Sequence, residues 1–253
     1  MLLLRKWWLN YLANNTWIKA GASPCFDPYS TIHMKQLFLL LLLWVSPRVG
    51  QSQIPVEVFV GHEKTTLDVL FFKFFQTKQA DTGSQPTRWL FFNRNRASVD
   101  YRMSTNQYLP LFGFTEAVSY NHPKLKGLAP VAVVQILSWG VFPKAGLQYA
   151  HTQKSFTLFS WLVTETTSKP AIDYFLLMRY TPKLNDKWHL FTQLESVSAF
   201  PTNANEDFNF TQRFRLGLKK GQWQWGAGVD WQQTGRNTWI NNENIGSFLR
   251  HEF

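Results

Sequence analysis

Apolar and polar residues alternate along much of this chain, most clearly in residues 208–218. One side of that segment is apolar, with Phe208, Phe210, Phe214, Leu216 and Leu218 interrupted only by Gln212. The other side carries Asn209, Thr211, Arg213, Arg215 and Gly217. A repeat of two residues is the period of a β-strand, because successive side chains of a strand point to opposite faces. The segment is therefore predicted to be a strand.

Segments with the same alternation recur along the chain, and residues typical of turns separate them. Gly83 and Pro86 predict a loop over residues 76–86, and Gly140 and Pro143 predict a turn over residues 140–143. Clear strands are predicted at 66–75, 87–103, 109–120, 129–139, 144–150, 156–164, 171–180, 188–199, 208–218, 222–232 and 245–253. A weaker run at 54–60 is either a first strand or only a plug-like lead-in. The fold class is all-β.

The last predicted strand ends in an aromatic residue. Ile245, Ser247, Leu249, His251 and Phe253 share one of its faces. An apolar alternating strand that finishes in phenylalanine resembles the terminal strand of bacterial outer-membrane β-barrels, and the resemblance covers the last nine residues as a motif. It implies that Ile245, Leu249 and Phe253 form a signal read by the barrel-assembly machinery. It also implies a single closed antiparallel transmembrane β-barrel, integral to the outer membrane and in contact with its lipid.

Single-chain barrels of this kind have even strand numbers. Counting residues 54–60 gives twelve strands, the favoured number. Ten is the alternative, reached by omitting 54–60 and merging a weak pair around Gly140. Trp188, Trp223, Trp231, Tyr101 and Tyr180 fall near predicted strand ends, as expected for aromatic girdles at the membrane surfaces.

The N-terminal part carries a predicted export signal. A short basic start at Met34 precedes nine apolar residues at 37–45 and small residues before position 53. Residues 34–52 are therefore predicted to be a cleaved signal peptide, and residues 53–253 the barrel. Residues 1–33 lie upstream of this complete signal, which indicates a start site called too early. The alternative is a genuine N-terminal extension, in which the first eight residues form an interfacial amphipathic stub.

Removal of residues 1–52 leaves 21 basic and 15 acidic side chains, a net charge of +6. These charges are spread among aromatic residues rather than clustered, which argues against nucleic-acid binding. The one cysteine, Cys25, precedes the predicted mature chain. No spacing typical of a metal or cofactor site is present, so none is expected.

The polar faces of the strands supply candidate lumen-lining residues. They are Arg94, Arg96, Asp100, Arg102, Glu116, Asp173, Arg179, Glu195, Arg213, Arg215, Asp230 and Arg250, with Glu252 near the end of the chain. Phe92, Phe175, Phe191 and Phe248 are expected to point the same way and to occlude part of the lumen. Two functions follow. One is a narrow channel for small polar or anionic solutes, and the other is a filled structural or partner-binding barrel without transport.

An enzyme is a remote alternative. Some barrels in this membrane are lipid hydrolases or acyltransferases built on histidine and serine. His189, His251, Ser196 and Ser247 supply those residue types, but their spacing matches no characteristic pattern. The chain is therefore predicted not to be an enzyme.

The export signal makes a first prediction. Mature protein recovered from outer-membrane fractions is expected to begin at Gln53, because signal peptidase cleaves after small residues. Edman sequencing of that material checks it. Recovery of residues 1–33 on the mature protein, or of the protein in the soluble fraction, would contradict it.

Overall fold

The structure is a computed structural model that describes residues 54–79, 83–101, 111–138, 140–166 and 170–253. The N-terminal extension, the signal peptide, the start at Gln53 and Arg102 all lie outside these residues. Among the described residues, no helix has the length and apolar character needed to cross a membrane.

Twelve antiparallel strands form one closed barrel, which confirms the favoured strand number. Each strand pairs with its neighbours in the sequence, and β1 pairs with β12. The strands are β1 (Pro55–Gly61), β2 (Lys64–Gln79), β3 (Gly83–Asp100), β4 (Leu111–Tyr120), β5 (Leu128–Leu137), β6 (Gly140–Thr152), β7 (Phe156–Glu165), β8 (Ala171–Tyr180), β9 (His189–Pro201), β10 (Phe208–Lys220), β11 (Trp223–Gly235) and β12 (Trp239–Glu252).

The first and last strands close the barrel. Their register runs from Pro55 opposite Glu252 to Gly61 opposite Gly246. Beyond the strand ends, Ile54 and Phe253 exchange two backbone hydrogen bonds of 3.1 Å each. Closure leaves no unpaired edge, so the backbone groups of every strand find partners within the sheet. We call the rim that holds these chain ends the terminal rim, and the opposite one the far rim.

The outer surface of the barrel is apolar and the inner surface carries the charges. On β12, Leu249 is 50% exposed on the outside, whereas its neighbour Arg250 is 3% exposed on the inside. On β10 the same contrast separates Leu216 from Arg215. A soluble barrel would bury its apolar side chains and expose its charged ones. The reversed arrangement is that of a transmembrane β-barrel, in which lipid covers the outer face.

Aromatic side chains gather at both rims. At the terminal rim, Trp89 and Tyr120 contact edge to face, with ring centroids 5.1 Å apart. At the far rim, Phe200, Phe210 and Trp239 form a cluster with centroids 5.4–5.6 Å apart. Of the predicted girdle residues, four lie at or directly beside a strand end, namely Tyr101, Tyr180, Trp188 and Trp223. Trp231 lies within β11 instead.

Two predicted breaks are wrong. Residues 140–143 belong to β6, and the loop expected over 76–86 shrinks because β2 extends to Gln79 and β3 begins at Gly83. The carbonyl of Pro143 accepts a hydrogen bond from Thr166, which lies just beyond the end of β7. The N–H that proline lacks would point to the same side, so its absence removes no hydrogen bond between two strand residues. Pro86 pairs with Gln76 at the irregularity between Phe74 and Gln76 in β2. Proline is tolerated at such bulges.

The closing strand makes a second prediction. Leu249 faces outward between Val58 of β1 and Trp225 of β11. Leu249→Asp places a carboxylate in the lipid-facing belt, at a cost of roughly 1–2 kcal/mol that depends on depth. We expect a lower yield of the folded, heat-modifiable band on gels, with Leu249→Val as the matched control. Equal yields for the two variants would mean that this position does not face lipid.

Candidate functional site

The inward faces of eight strands bring ten charged side chains into one connected cluster, which we call the arginine network. It joins residues of β1, β2, β3, β8, β9, β10, β11 and β12. Its cations are Arg94, Arg96, Arg179, Arg213, Arg215 and Arg250, and its anions are Glu57, Asp68, Glu195 and Asp230.

Arg94 lies at the centre of the network. Its Nη2 donates to Oδ2 of Asp68 at 2.8 Å, and its Nη1 donates to Oε1 of Glu195 at 2.7 Å. Each of these acids has a second arginine partner. Arg96 donates to the same oxygen of Asp68 from Nε at 3.1 Å and from Nη2 at 2.5 Å, and Arg213 donates to Glu195. Because Arg94 serves both acids, either outer arginine can be lost without leaving an acid unpaired.

Arg215 is the most deeply buried cation of the network, at 2% exposure. Its Nε donates to Glu57 at 2.9 Å and its Nη1 donates to Asp230 at 2.7 Å. Its guanidinium lies 3.9 Å from the ring centroid of Phe59, a cation–π contact. Gly228 on β11 makes room for it, since a Cβ at that position would lie 2.7 Å from Cδ of Arg215. The site is therefore shaped around this side chain.

Arg179 and Arg250 share a neutral acceptor. Oε1 of Gln193 accepts from Nε of Arg179 and from Nη1 of Arg250, both at 3.0 Å. Both guanidiniums lie about 6 Å from the ring centroid of Phe191, at 6.0 and 5.6 Å. The nearest carboxylate contact of this pair joins Arg250 to Glu57 at 4.0 Å. Positive charge is thus incompletely balanced here.

The network as a whole carries an excess of positive charge. Its six guanidinium groups face four carboxylates, and arginine stays charged in proteins. The barrel wall and the surrounding lipid have a low dielectric constant, so this local excess favours anions beside the network.

An aromatic layer closes the lumen beside the network. Phe92 stacks on Phe159 with centroids 5.0 Å apart, and Phe72 stacks on the same ring at 5.5 Å. Trp161 contacts Phe92 at 4.8 Å and Phe175 at 4.9 Å. These side chains come from β2, β3, β7 and β8, so they meet across the barrel interior. Phe191 and Phe248 form a second buried contact, so all four phenylalanines expected inside are buried.

A cavity of about 280 Å³ lies between this aromatic layer and the far rim. Phe92, Trp161 and Phe175 form its floor, and Ser98 and Leu137 lie near its mouth at the ends of β3 and β5. Its charged lining residues are Arg94, Arg96, Arg213, Lys144 and Asp173. Four cations and one carboxylate line a space with an apolar floor, a combination that suits a small anion.

Ten of the twelve residues predicted to line the lumen share the inward side of the sheet. They are Arg94, Arg96, Asp100, Asp173, Arg179, Glu195, Arg213, Arg215, Asp230 and Arg250. Glu252 is also inward, where it accepts a hydrogen bond of 2.6 Å from Lys219. That these side chains line a solute path stays a prediction.

The inward assignment of Glu116 is wrong. Glu116 lies opposite Asn93 of β3 and Val134 of β5 on the outward side, and it accepts a hydrogen bond of 2.9 Å from Asn93. The inward residues of β4 include Ala117 and Ser119, which are almost fully buried. The sequence of β4 itself indicates this face, because the large apolar residues Phe112, Phe114 and Val118 share it with Glu116, and its charge alone favoured the lumen.

Several inward charged residues are not among the predicted lumen residues, including Glu57, Asp68 and Lys144. Glu57 and Asp68 are the acidic partners of Arg215 and Arg94, and Lys144 binds Asp173 and lies 3.7 Å from Glu165. The period of two residues does place Asp68 on the same face of β2 as Thr66 and Leu70. Lys144 carries no such signal, because the residues before it are predicted to form a turn.

The residue types considered for catalysis are not assembled into a site. Ser196 and Ser247 lie on the outward faces of β9 and β12, which are not paired with each other. His251 packs between the rings of Trp223 and Phe253, with centroids 4.3 and 4.4 Å away, whereas His189 lies on the inward side of β9. Within the described ranges, no group of His, Cys, Asp or Glu side chains is placed to hold a metal ion.

No protein-family model matches the chain. The chain is 26% identical over 142 residues to the uncharacterized protein YfhO of Bacillus subtilis, a match that covers 56% of this chain and 16% of that protein. The chain thus spans about a sixth of the length of that relative.

Several solved structures are similar in outline. The KdgM porin in complex with disordered oligogalacturonate is 8% identical, with a TM-score of 0.43 over 80% of this chain and 99% of that one. OmpT of Vibrio cholerae is 9% identical, with a TM-score of 0.36 over 79% and 96%. Both TM-scores lie below 0.5, so these likenesses carry no inference about the activity of this chain.

The ion pairs make a third prediction. Glu195→Gln removes the charge that Arg94 and Arg213 share inside the barrel, and breaking a buried pair costs about 3–5 kcal/mol. We expect the free energy of unfolding in lipid vesicles, followed by tryptophan fluorescence in urea, to fall by that amount. Lys183→Gln, which removes an exposed ion pair with Asp186, is the control and should change it by less than about 1 kcal/mol. Equal effects would contradict a buried network.

Proposed function

We propose that this chain is an integral outer-membrane β-barrel that gives small anionic solutes a narrow path through its lumen. The observation that carries the proposal is the positive excess of the arginine network beside an open cavity of about 280 Å³. Outer-membrane lipid is the partner of the apolar outer face, and the strand with Ile245, Leu249 and Phe253 is the segment offered to the barrel-assembly machinery.

The cavity explains how an anionic solute is drawn into the lumen. Arg96 and Arg213 line it and keep 18% and 16% of their side chains exposed, so a solute that enters from the far rim meets their guanidinium groups. A low-dielectric wall focuses the field of these groups and raises the local concentration of anions. A guanidinium also binds carboxylate or phosphate groups through two parallel hydrogen bonds.

The aromatic layer explains why the path through the lumen is narrow. Phe92, Trp161 and Phe175 form the floor of the cavity, so a solute passes only when these rings change rotamer or tilt. Passage is therefore slow and selective for small molecules. Side-chain movements of this kind need no rearrangement of the closed sheet.

A filled structural or partner-binding barrel is the second candidate, and the same interior contains the observation that favours it. Asp68, Glu195, Glu57 and Asp230 all have arginine partners, and the stacked rings of Phe72, Phe92 and Phe159 hold the neighbouring layer together. An interior of paired charges and packed rings stabilises a barrel whether or not solutes cross it.

The fourth prediction separates the two candidates. Arg96→Gln combined with Arg213→Gln removes two positive charges from the cavity while Arg94 keeps both Asp68 and Glu195 paired. In planar bilayers under a KCl gradient, the wild-type protein is expected to pass chloride in preference to potassium. The double variant should lose that preference several-fold while keeping its folded, heat-modifiable band.

Lys183→Gln with Lys187→Gln removes the same charge from an exposed turn outside the lumen and should leave the reversal potential unchanged. Absence of conductance in correctly folded wild-type protein would overturn the channel and leave the filled barrel. Conductance with an unchanged reversal potential in the cavity variant would overturn the role of these arginines.

A further inference from the structure

A group of polar side chains interrupts the lipid-facing belt on β3 and β4. Glu116 lies near the middle of β4, and its outward neighbours along the strand are Phe114 and Val118. Across the sheet it faces Asn93, whose Nδ2 donates to Glu116 Oε1 at 2.9 Å. Asn95 lies on the same outward side of β3, opposite Phe114. A carboxylate and two amides thus occupy a depth at which the flanking positions are apolar.

Nδ2 of Asn93 is the one donor that the described residues show for the carboxylate of Glu116. Asn93 is only 6% exposed, and the Oδ1 atoms of Asn93 and Asn95 are buried without a hydrogen-bond partner among the described residues. Hydrocarbon supplies no donor, and polar groups at membrane depth are costly unless another protein group pairs with them. The carboxylate of Glu116 is only partly buried on this outer side, so a cation on a neighbouring protein can reach and pair with it.

The same face carries a cation on its other flank. Lys73 lies on the outward side of β2, opposite Phe91 of β3. Phe71, two positions before Lys73 on the same side, pairs with Asn93. Within the described part of the chain, no ion pair joins Lys73 to another residue. The outward side of β2, β3 and β4, which we call the β2–β4 face, thus carries a lysine on one flank and a glutamate on the other, with β3 between them.

We propose that the β2–β4 face binds a second copy of this chain. All copies insert into the membrane in one direction, so a two-fold axis between them must run along the membrane normal. Such an axis near β3 places β2 of one copy against β4 of the other, because a two-fold contact presents the same patch from both sides. Lys73 of each copy then meets the partner subunit's Glu116, and the contact is made twice.

Aromatic side chains surround the polar centre and supply the rest of the contact. Phe71 and Phe91 contact each other at 6.2 Å, and Phe112 contacts Phe114 at 5.4 Å on the other flank. Phe112 and Phe114 are each 38% exposed, so they are free to pack against a neighbouring barrel. Aromatic side chains are enriched in protein interfaces. The dimer depends on the outer face alone and does not rest on the proposed transport of anions.

Charge exchange tests the pairing directly. Lys73→Glu and Glu116→Lys each place like charges together twice and should abolish the dimer, whereas the double variant Lys73→Glu/Glu116→Lys should restore it. Mass is measured by light scattering in mild detergent on protein that shows the folded, heat-modifiable band. Glu243→Lys, an exposed outward carboxylate on β12, is the matched control and should leave the dimer intact.

Cysteine cross-linking tests the same face without changing its charges. Ala97 lies on the outward side of β3 near the expected axis, and the described residues contain no cysteine. Ala97→Cys should form a disulfide-linked dimer in native membranes, and Leu216→Cys on the outward side of β10 should not. A monomeric wild-type protein, a trimer, equal cross-linking at the two positions, or failure of the double variant to restore the dimer would overturn the proposal.

Discussion

The pairing of β1 with β12 is the constraint on which the rest of this structure depends. A sheet in lipid cannot leave backbone N–H or C=O groups unpaired, and the seam from Pro55–Glu252 to Gly61–Gly246 removes the last free edge. Once the sheet is closed, every strand has an inside and an outside, and the two-residue period assigns each side chain to one of them. The apolar belt and the charged lumen are two results of the same closure.

Closure also explains why so much charge is tolerated inside. Ten ionised groups share a narrow space, and each carboxylate of the arginine network has at least one guanidinium partner within 2.9 Å. Four acids cannot neutralise six arginines, so pairing coexists with a local excess of positive charge in the network. The apolar floor of the cavity, formed by Phe92, Trp161 and Phe175, then decides how far a solute attracted by that charge can travel.

Strong alternation made much of the fold predictable from the sequence. The strand predicted at 171–180 has the same bounds as β8, and Arg213 and Arg215 were assigned to the correct face of β10. The inward prediction for Glu116 is wrong because it follows the charge of the side chain, whereas Phe112, Phe114 and Val118 on the same face of β4 already indicate the lipid side. Partners in the network could not be foreseen, since Arg94 bonds Asp68, 26 residues away, and Glu195, 101 residues away, through the closure of the whole barrel.

The central claim is that the arginines face a lumen while their neighbours face lipid, and spin labelling along β10 tests it most directly. A nitroxide is placed on single cysteines at 212–218 in the folded protein in bilayers. Accessibility to oxygen, which concentrates in lipid, should peak at Gln212, Phe214, Leu216 and Leu218 and fall at Arg213, Arg215 and Gly217. A uniform profile, or peaks at the arginine positions, would contradict a closed transmembrane barrel with its charges inside.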